Sequence, residues 1–308
     1  MRVQMNVIVT GSAGFVGCNL TERLIEKGYK VYAFIRPGSS HNERLEKLVP
    51  ESDGRLVLVE CDMSNILEAA DKITDKCEVF YHLAWADGRD DFARQYSNID
   101  QTLNALALAD KLGCKRFVAT GSQAEYGLVP NGEEQTEDTP LKPNTAYGAC
   151  KVAAYYLLKR RCEQIGMEFI WGRIFSIYGK YEGDGRLIVD LTKAIQRGER
   201  KQMTAATQNW DYLYTSDAAD ALIALAEKGR AGEIYNIANG DYHELKYFTD
   251  QIASYYGDKE QIEYGSDSRT PVSLQPSVSK IFADTGWRPS VDFMDGIKKV
   301  YGTKEAIK

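Results

Sequence analysis

A serine, a tyrosine and a lysine carry the most chemical promise in this chain. Tyr147 and Lys151 stand four residues apart, so on a helix both side chains leave one face. Tyrosine is a poor acid or base near neutral pH unless a positive charge stabilises its phenolate, and a lysine at that spacing supplies one. Spacing alone selects nothing, because it recurs at Tyr155/Lys159, Tyr242/Lys246 and Tyr255/Lys259. Only Tyr147 follows a run, FVATGSQAEYG, that places a hydroxyl, Ser122, at the end of an apolar stretch. At the carboxyl edge of a parallel sheet such a hydroxyl meets ligands. Tyr147 would then pass a proton and Ser122 would hydrogen-bond the substrate oxygen. Lys151 would lower the tyrosine's pKa and hold a nicotinamide ribose. The plainer alternative makes Ser122 a turn residue and Tyr147 a helix-face aromatic.

The segment TGSAGFVG follows a first apolar run and opens a stretch whose Phe15, Val16, Leu20 and Leu24 recur at helical spacing. Gly11, Gly14 and Gly17 have separate tasks there: a tight turn, close approach of a helix N-terminus to a pyrophosphate, and packing of helix on strand. Dinucleotide binding is the expectation, with Ala13 in the same loop. The second apolar run ends at Ile35, where an NAD-binding chain usually carries an acid for the ribose diol, and Arg36 follows. A guanidinium there suits a 2′-phosphate, so NADP(H) is favoured and NAD is possible. Alternatively Arg36 stacks on adenine or faces solvent. Asp62, in Cys61-Asp62-Met63, is placed to accept from the adenine amino group, to cap a helix, or both.

These residues need a frame. Short β-branched runs (NVIVT, KVYAFI, RLVLVE, CEVFYHL, KRFVAT, MEFIWGRI) alternate with amphipathic stretches, which argues a parallel sheet with helices on both faces. The expected class is α/β: a Rossmann-type doubly wound parallel sheet with a smaller C-terminal substrate-binding lid. Residues 1–175 are read as the dinucleotide-binding domain. Residues 176–308 are read as mainly substrate-binding, with some segments returning to the sheet.

The 308 residues, 44% hydrophobic and 27% charged, suffice for a full core, and a net charge of −6 without a basic run gives nucleic acid no footing. The six cysteines are scattered and no His cluster accompanies them, so no metal site is expected and reduced thiols in a cytoplasmic protein are. The apolar start is too short for a leader or a membrane span and reads as a strand. His82, alone in an apolar run, reads as a satisfied core histidine.

Taken together the motifs resemble the extended short-chain dehydrogenase/reductase superfamily, in its NAD-dependent epimerase/dehydratase, nucleotide-sugar modifying branch. TGSAGFVG is similar to the family's phosphate loop, YHLAW to its His-Leu-Ala-Ala beside the nicotinamide, and YGACK to its Tyr-x-x-x-Lys. GRIFSIYG resembles Arg-x-Phe-Asn-x-Tyr-Gly, WDYLYTSDAA resembles Arg-Asp-Tyr-x-Tyr-Val-x-Asp, and DTGWRPS resembles a late Leu-Gly-Trp-x-Pro. The resemblance implies cofactor contacts from Phe15, Val16, Met63, Leu83, Ala84, Trp85 and Ile174 besides those above. It also implies that Asn98 supports the site.

The departures narrow the function. Sugar 4,6-dehydratases carry Asp and Glu after the catalytic hydroxyl, whereas this chain has Gln123 and Ala124, so dehydration is not expected. Ser176 replaces the family's substrate-binding Asn, and Trp210 replaces an Arg that meets the diphosphate. Arg186 and Arg269 are the candidates to replace that arginine, and Trp85 and Gln123 are candidate sugar contacts. The leading expectation is an NADP(H)-dependent 4-ketoreductase of a nucleotide-linked 4-keto-6-deoxy sugar. A 4-epimerase with tightly bound NAD is the rival, and a non-catalytic dinucleotide sensor the distant one. A homodimer is expected through two long helices, about 92–112 and 147–164, with Ala107, Ala153, Ala154 and Leu158 on the outward faces.

Overall fold

The computed structural model describes residues 5–86, 88–265 and 272–304. Seven strands make one all-parallel sheet: β1 Asn6–Thr10, β2 Lys30–Ile35, β3 Leu56–Glu60, β4 Val79–His82, β5 Arg116–Ser122, β6 Glu168–Ile174 and β7 Ile234–Ile237. Their order is β7-β6-β5-β4-β1-β2-β3. The chain therefore winds outward in one direction from β1, returns and winds in the other. The carboxyl ends of β1 and β4 flank the crevice that this reversal opens.

Both faces of the sheet are covered, which is why its strands are apolar without alternation. In β1, Val7 and Val9 point into one core layer and Ile8 into the other, as a period of two requires. The first layer is closed by α1 (Phe15–Glu26), through Leu20 and Leu24, and by a helix spanning Thr215–Lys228, through Ala218 and Leu222. The second is closed by α2 (Phe92–Lys111) and α3 (Ala146–Ile165), through Ala105, Ala109, Ala154 and Leu158. A third cluster, aromatic and separate from the sheet, joins Tyr178, Tyr212, Phe248 and Phe293 between the later helices. β7 lies beyond residue 176 and pairs with β6, so the later half of the chain re-enters the sheet.

The surface expected for a dimer needs correction. Ala154 and Leu158 are buried in the core; one turn apart, they share the face of α3 that packs on the sheet beside Cys162. The outward apolar side chains are instead Phe92 and Tyr96 on α2, 76% and 65% exposed, and Tyr156 and Leu157 on α3, 60% and 46% exposed. Ala107 is also exposed and Ala153 half-buried.

His82 ends β4 with both ring nitrogens occupied: Nδ1 pairs with Thr10 Oγ1 at 2.8 Å and Nε2 with Thr102 Oγ1 at 3.0 Å. Burial, with Lys151's charge nearby, pushes its pKa down to about 3, so it is a neutral core histidine. The six thiols are free. Among the described residues no helix is long and apolar enough to cross a membrane.

Candidate functional site

The loop from β1 to α1 is built around close approach. Gly11 has φ +69°, and a Cβ on it would lie 2.7 Å from the Ala84 nitrogen. A Cβ on Gly17 would lie 2.1 Å from the Gly11 carbonyl oxygen, so the loop can lie against Leu83 and Ala84 only with glycine at 11, and the first turn of α1 can rest on the loop only with glycine at 17. The helix N-cap is Gly14, which offers no side-chain acceptor, and no acid stands in the first turn. The amide groups and positive dipole end of α1 are thus left for an external anion.

This loop walls a cleft of about 320 Å³ together with Ala13, Arg36, Asp62, Met63, Leu83, Ala84 and Trp85. Phe34 and Ile35 at the end of β2 border it as well. Ile35 is buried, and the Arg36 side chain is exposed with no ion pair or hydrogen bond among the described residues. Ser39 and His41 line the cleft beside it; neither stood out in the sequence because both lie in a loop whose path only the structure draws. Asp62 does cap a turn, its Oδ1 accepting from Ser64 N at 2.9 Å and Ser64 Oγ at 2.7 Å, which holds its carboxyl below the usual range.

A second cleft, of about 550 Å³, shares Leu83 and Trp85 with the first. Such a volume suits a small organic ligand. Ser122, Tyr147 and Lys151 all line it, with Phe15, Val16, Leu83, Gln123, Ile174, Ser176 and Arg186. Ser122 is the last residue of β5, in register with Ile174 on β6. Its Oγ accepts from Ala124 N at 3.2 Å, which leaves its proton free to donate. Gly17 packs under the loop and lines neither cleft. Arg269 lies outside the described residues.

Tyr147 and Lys151 occupy the first two turns of α3, whose N-terminus is fixed three ways. Thr145 Oγ1 accepts from Gly148 N, Asp90 Oδ1 from Ala146 N, and the Arg89 carbonyl from Tyr147 N, at 3.1, 3.0 and 2.8 Å. Lys151 is 4% exposed and donates to the Thr120 carbonyl at 2.8 Å. The Trp85 ring covers its Nζ at 3.7 Å and packs edge-on to Tyr147. Burial pushes the lysine's pKa down to about 7, against the opposing pull of Glu125.

Trp85 is itself anchored, Nε1 donating to Gln95 Oε1 at 2.8 Å. Asn98 accepts from Ala86 N and donates to Ala86 O, so α2 pins the loop carrying the tryptophan. The sequence offered no sign of Arg89 or Glu182, both on the second cleft. The Arg89 guanidinium lies 5.4 Å from the Tyr147 ring centre, and burial raises the Glu182 carboxyl to about 7. Trp210 lines the cleft, and its Nε1 is buried with no hydrogen-bond partner among the described residues. Among the described residues no group of three His, Cys, Asp or Glu side chains could hold a metal ion.

The model of the NAD-dependent epimerase/dehydratase family matches residues 7–238. UDP-glucuronic acid decarboxylase 1 of Danio rerio is 24% identical over 95% of this chain and 71% of its own length. The dTDP-D-glucose 4,6-dehydratase of Homo sapiens is 23% identical over 95% and 88%. Among solved structures, the dTDP-glucose 4,6-dehydratase of Bacillus anthracis in complex with NAD has a TM-score of 0.84 at 23% identity, covering 98% of this chain and 95% of its own. The UDP-glucose 4-epimerase of Thermotoga maritima with UDP-glucose has 0.83 at 22%, covering 99% and 100%. At these identities the structural likeness shows the shared fold.

Proposed function

Because the chain belongs to the NAD-dependent epimerase/dehydratase family, we propose that it performs oxidoreduction at C4 of a nucleotide-linked sugar, as a 4-ketoreductase of a 4-keto-6-deoxy sugar. The observation that carries this reading is the meeting of the two clefts at Leu83 and Trp85, with Ser122, Tyr147 and Lys151 lining the second. A dinucleotide held in the first cleft would supply the hydride for C4. Ser122 donates a hydrogen bond to the C4 oxygen, Tyr147 gives that oxygen its proton, and Lys151 holds the nicotinamide ribose and steadies the phenolate left behind. The product is the C4 alcohol.

Two features support reduction over water loss and over epimerisation. The positions after Ser122 are Gln123 and Ala124, and the next residue, Glu125, is held in a buried ion pair with Arg173, so the turn after Ser122 offers no free carboxyl for elimination. Arg36, with Ser39 and His41 beside it, suits a 2′-phosphate, and NADPH goes with net reduction. Arg186 is proposed to receive the substrate's diphosphate, and Arg269 remains a candidate for the same task. Two copies are proposed to associate through α2 and α3. The second reading, a 4-epimerase that keeps NAD, is favoured by the NAD complex of the B. anthracis relative in fold and the likeness to the T. maritima epimerase. Incubation of the protein with NADPH and a panel of nucleotide 4-keto-6-deoxy sugars tests the proposal. Stoichiometric loss of NADPH with formation of the 4-hydroxy sugar supports it. Interconversion of two 4-hydroxy sugars without net cofactor use would replace it by the epimerase.

A further inference from the structure

Behind Ser122 and Lys151 lies a buried ion pair that the chemistry above leaves unused. Glu125 and Arg173 are 0% and 1% exposed. Arg173 Nε donates to Glu125 Oε2 at 2.7 Å, and its Nη1 donates to the Tyr126 hydroxyl at 2.9 Å. Glu125 Oε1 accepts from the Ser122 amide at 2.8 Å and from the Trp171 indole at 3.0 Å. Gly121 makes the arrangement possible: a Cβ there would lie 2.2 Å from Trp171 Nε1 and 2.3 Å from Glu125 Oε1. β5, the turn after it and β6 are thereby joined at the residue that presents Ser122.

A buried ion pair is a poor way to stabilise a fold, since well-packed apolar side chains usually do as well. Its surroundings show what else it does. The Lys151 ammonium lies between the Trp85 face and the Trp171 ring, 3.7 and 5.9 Å from their centres, and it is the same Trp171 that donates to Glu125. The other ionisable groups near it are His82 on β4, which is neutral, Tyr147 on its own helix, Arg173 behind Glu125, and Arg89, Arg186 and Glu182, which line the same cleft. Of the two carboxyls, Glu182 is raised to about 7 by burial, and Glu125 is the one that acts on the lysine's charge.

We propose that Glu125 is a positioning residue for the proposed lysine and serine: clamped by Arg173 and Trp171, its charge keeps Lys151 protonated and its Oε1 fixes the main chain of Ser122. This rests on the reading of Ser122, Tyr147 and Lys151 as the reacting set. Burial alone drives the ammonium toward its neutral form, and Glu125 is the group that opposes it.

The test reads the lysine directly. Protein labelled with 13C at lysine Cε is titrated by NMR, with Lys151 assigned by its loss in Lys151→Met. The variants are Glu125→Gln, the charge-neutral pair Glu125→Gln/Arg173→Met, which leaves no unpaired cation, and Glu125→Asp. The Lys151 midpoint is expected to fall by about one pH unit or more in whichever of the first two folds, and to stay near the parent's in Glu125→Asp. The alkaline limb of kcat should move with it. An unchanged midpoint in a folded variant lacking the carboxylate overturns the proposal, as does a uniform loss of kcat at every pH. Should the sugar-nucleotide reading fail, turnover would be absent from the parent as well, while the lysine titration would still decide the role of Glu125.

Discussion

Lys151 should make the protein less stable than it would be without it, and the effect should depend on pH with a definite sign. The ammonium is taken out of water with one hydrogen bond, to Thr120 O, and its pKa falls from 10.5 to about 7. Below about pH 7 the lysine is charged in both the folded and unfolded chains, so the desolvation cost is fully present. Between pH 7 and 10.5 only the unfolded chain holds the proton, and stability rises with pH. At about 1.4 kcal/mol per tenfold change the ceiling is about 5 kcal/mol. Lys151→Met keeps the length of the side chain but strands the Thr120 carbonyl, a loss of about 1–2 kcal/mol, and real interiors relax around a charge. The expected net gain for the variant is therefore about 1–3 kcal/mol at pH 6, fading toward pH 10. Urea unfolding of parent and variant at pH 6, 8 and 10 measures it. A variant no more stable at pH 6, or a gain that does not shrink as pH rises, would refute the reasoning.

The Tyr147→Phe variant should lose at least about a hundredfold in turnover while binding the dinucleotide as the parent does; equilibrium binding and initial rates on one preparation check both halves. Arg36 should give NADPH about a ten- to hundredfold advantage over NADH, and Ile35→Asp with Arg36→Asn should reverse it, as read by fluorescence titration. Phe92→Glu with Tyr156→Glu places charges on the outward apolar faces of α2 and α3. Light scattering at micromolar concentration should show a dimer in the parent and a monomer in the variant, with the fold retained because neither residue is in the core.

Much of the frame was legible in the chain itself, because it rests on local rules. Apolar runs of strand length separated by helical stretches have few solutions other than a doubly wound sheet, and the seven parallel strands follow that pattern. Gly11 and Gly17 could be read as obligatory because positive φ and close approach leave glycine no substitute. The spacing of Tyr147 and Lys151 on one helix face is equally local.

What tertiary structure alone decided are relations between segments far apart in the chain. No pattern separates the core-facing Ala154 and Leu158 from a docking face, since a helix between a sheet and a partner is apolar on both sides, and burial resolved it. That Trp85 lies over Lys151 depends on α2 and α3 standing side by side, with Gln95 as the anchor. Glu125, one charged residue among 82 Lys, Arg, Asp and Glu side chains, has no local mark of its role. Its meaning comes from Arg173, 48 residues later, entering the same dry space, where low dielectric makes the charge of one side chain matter to the protonation of another.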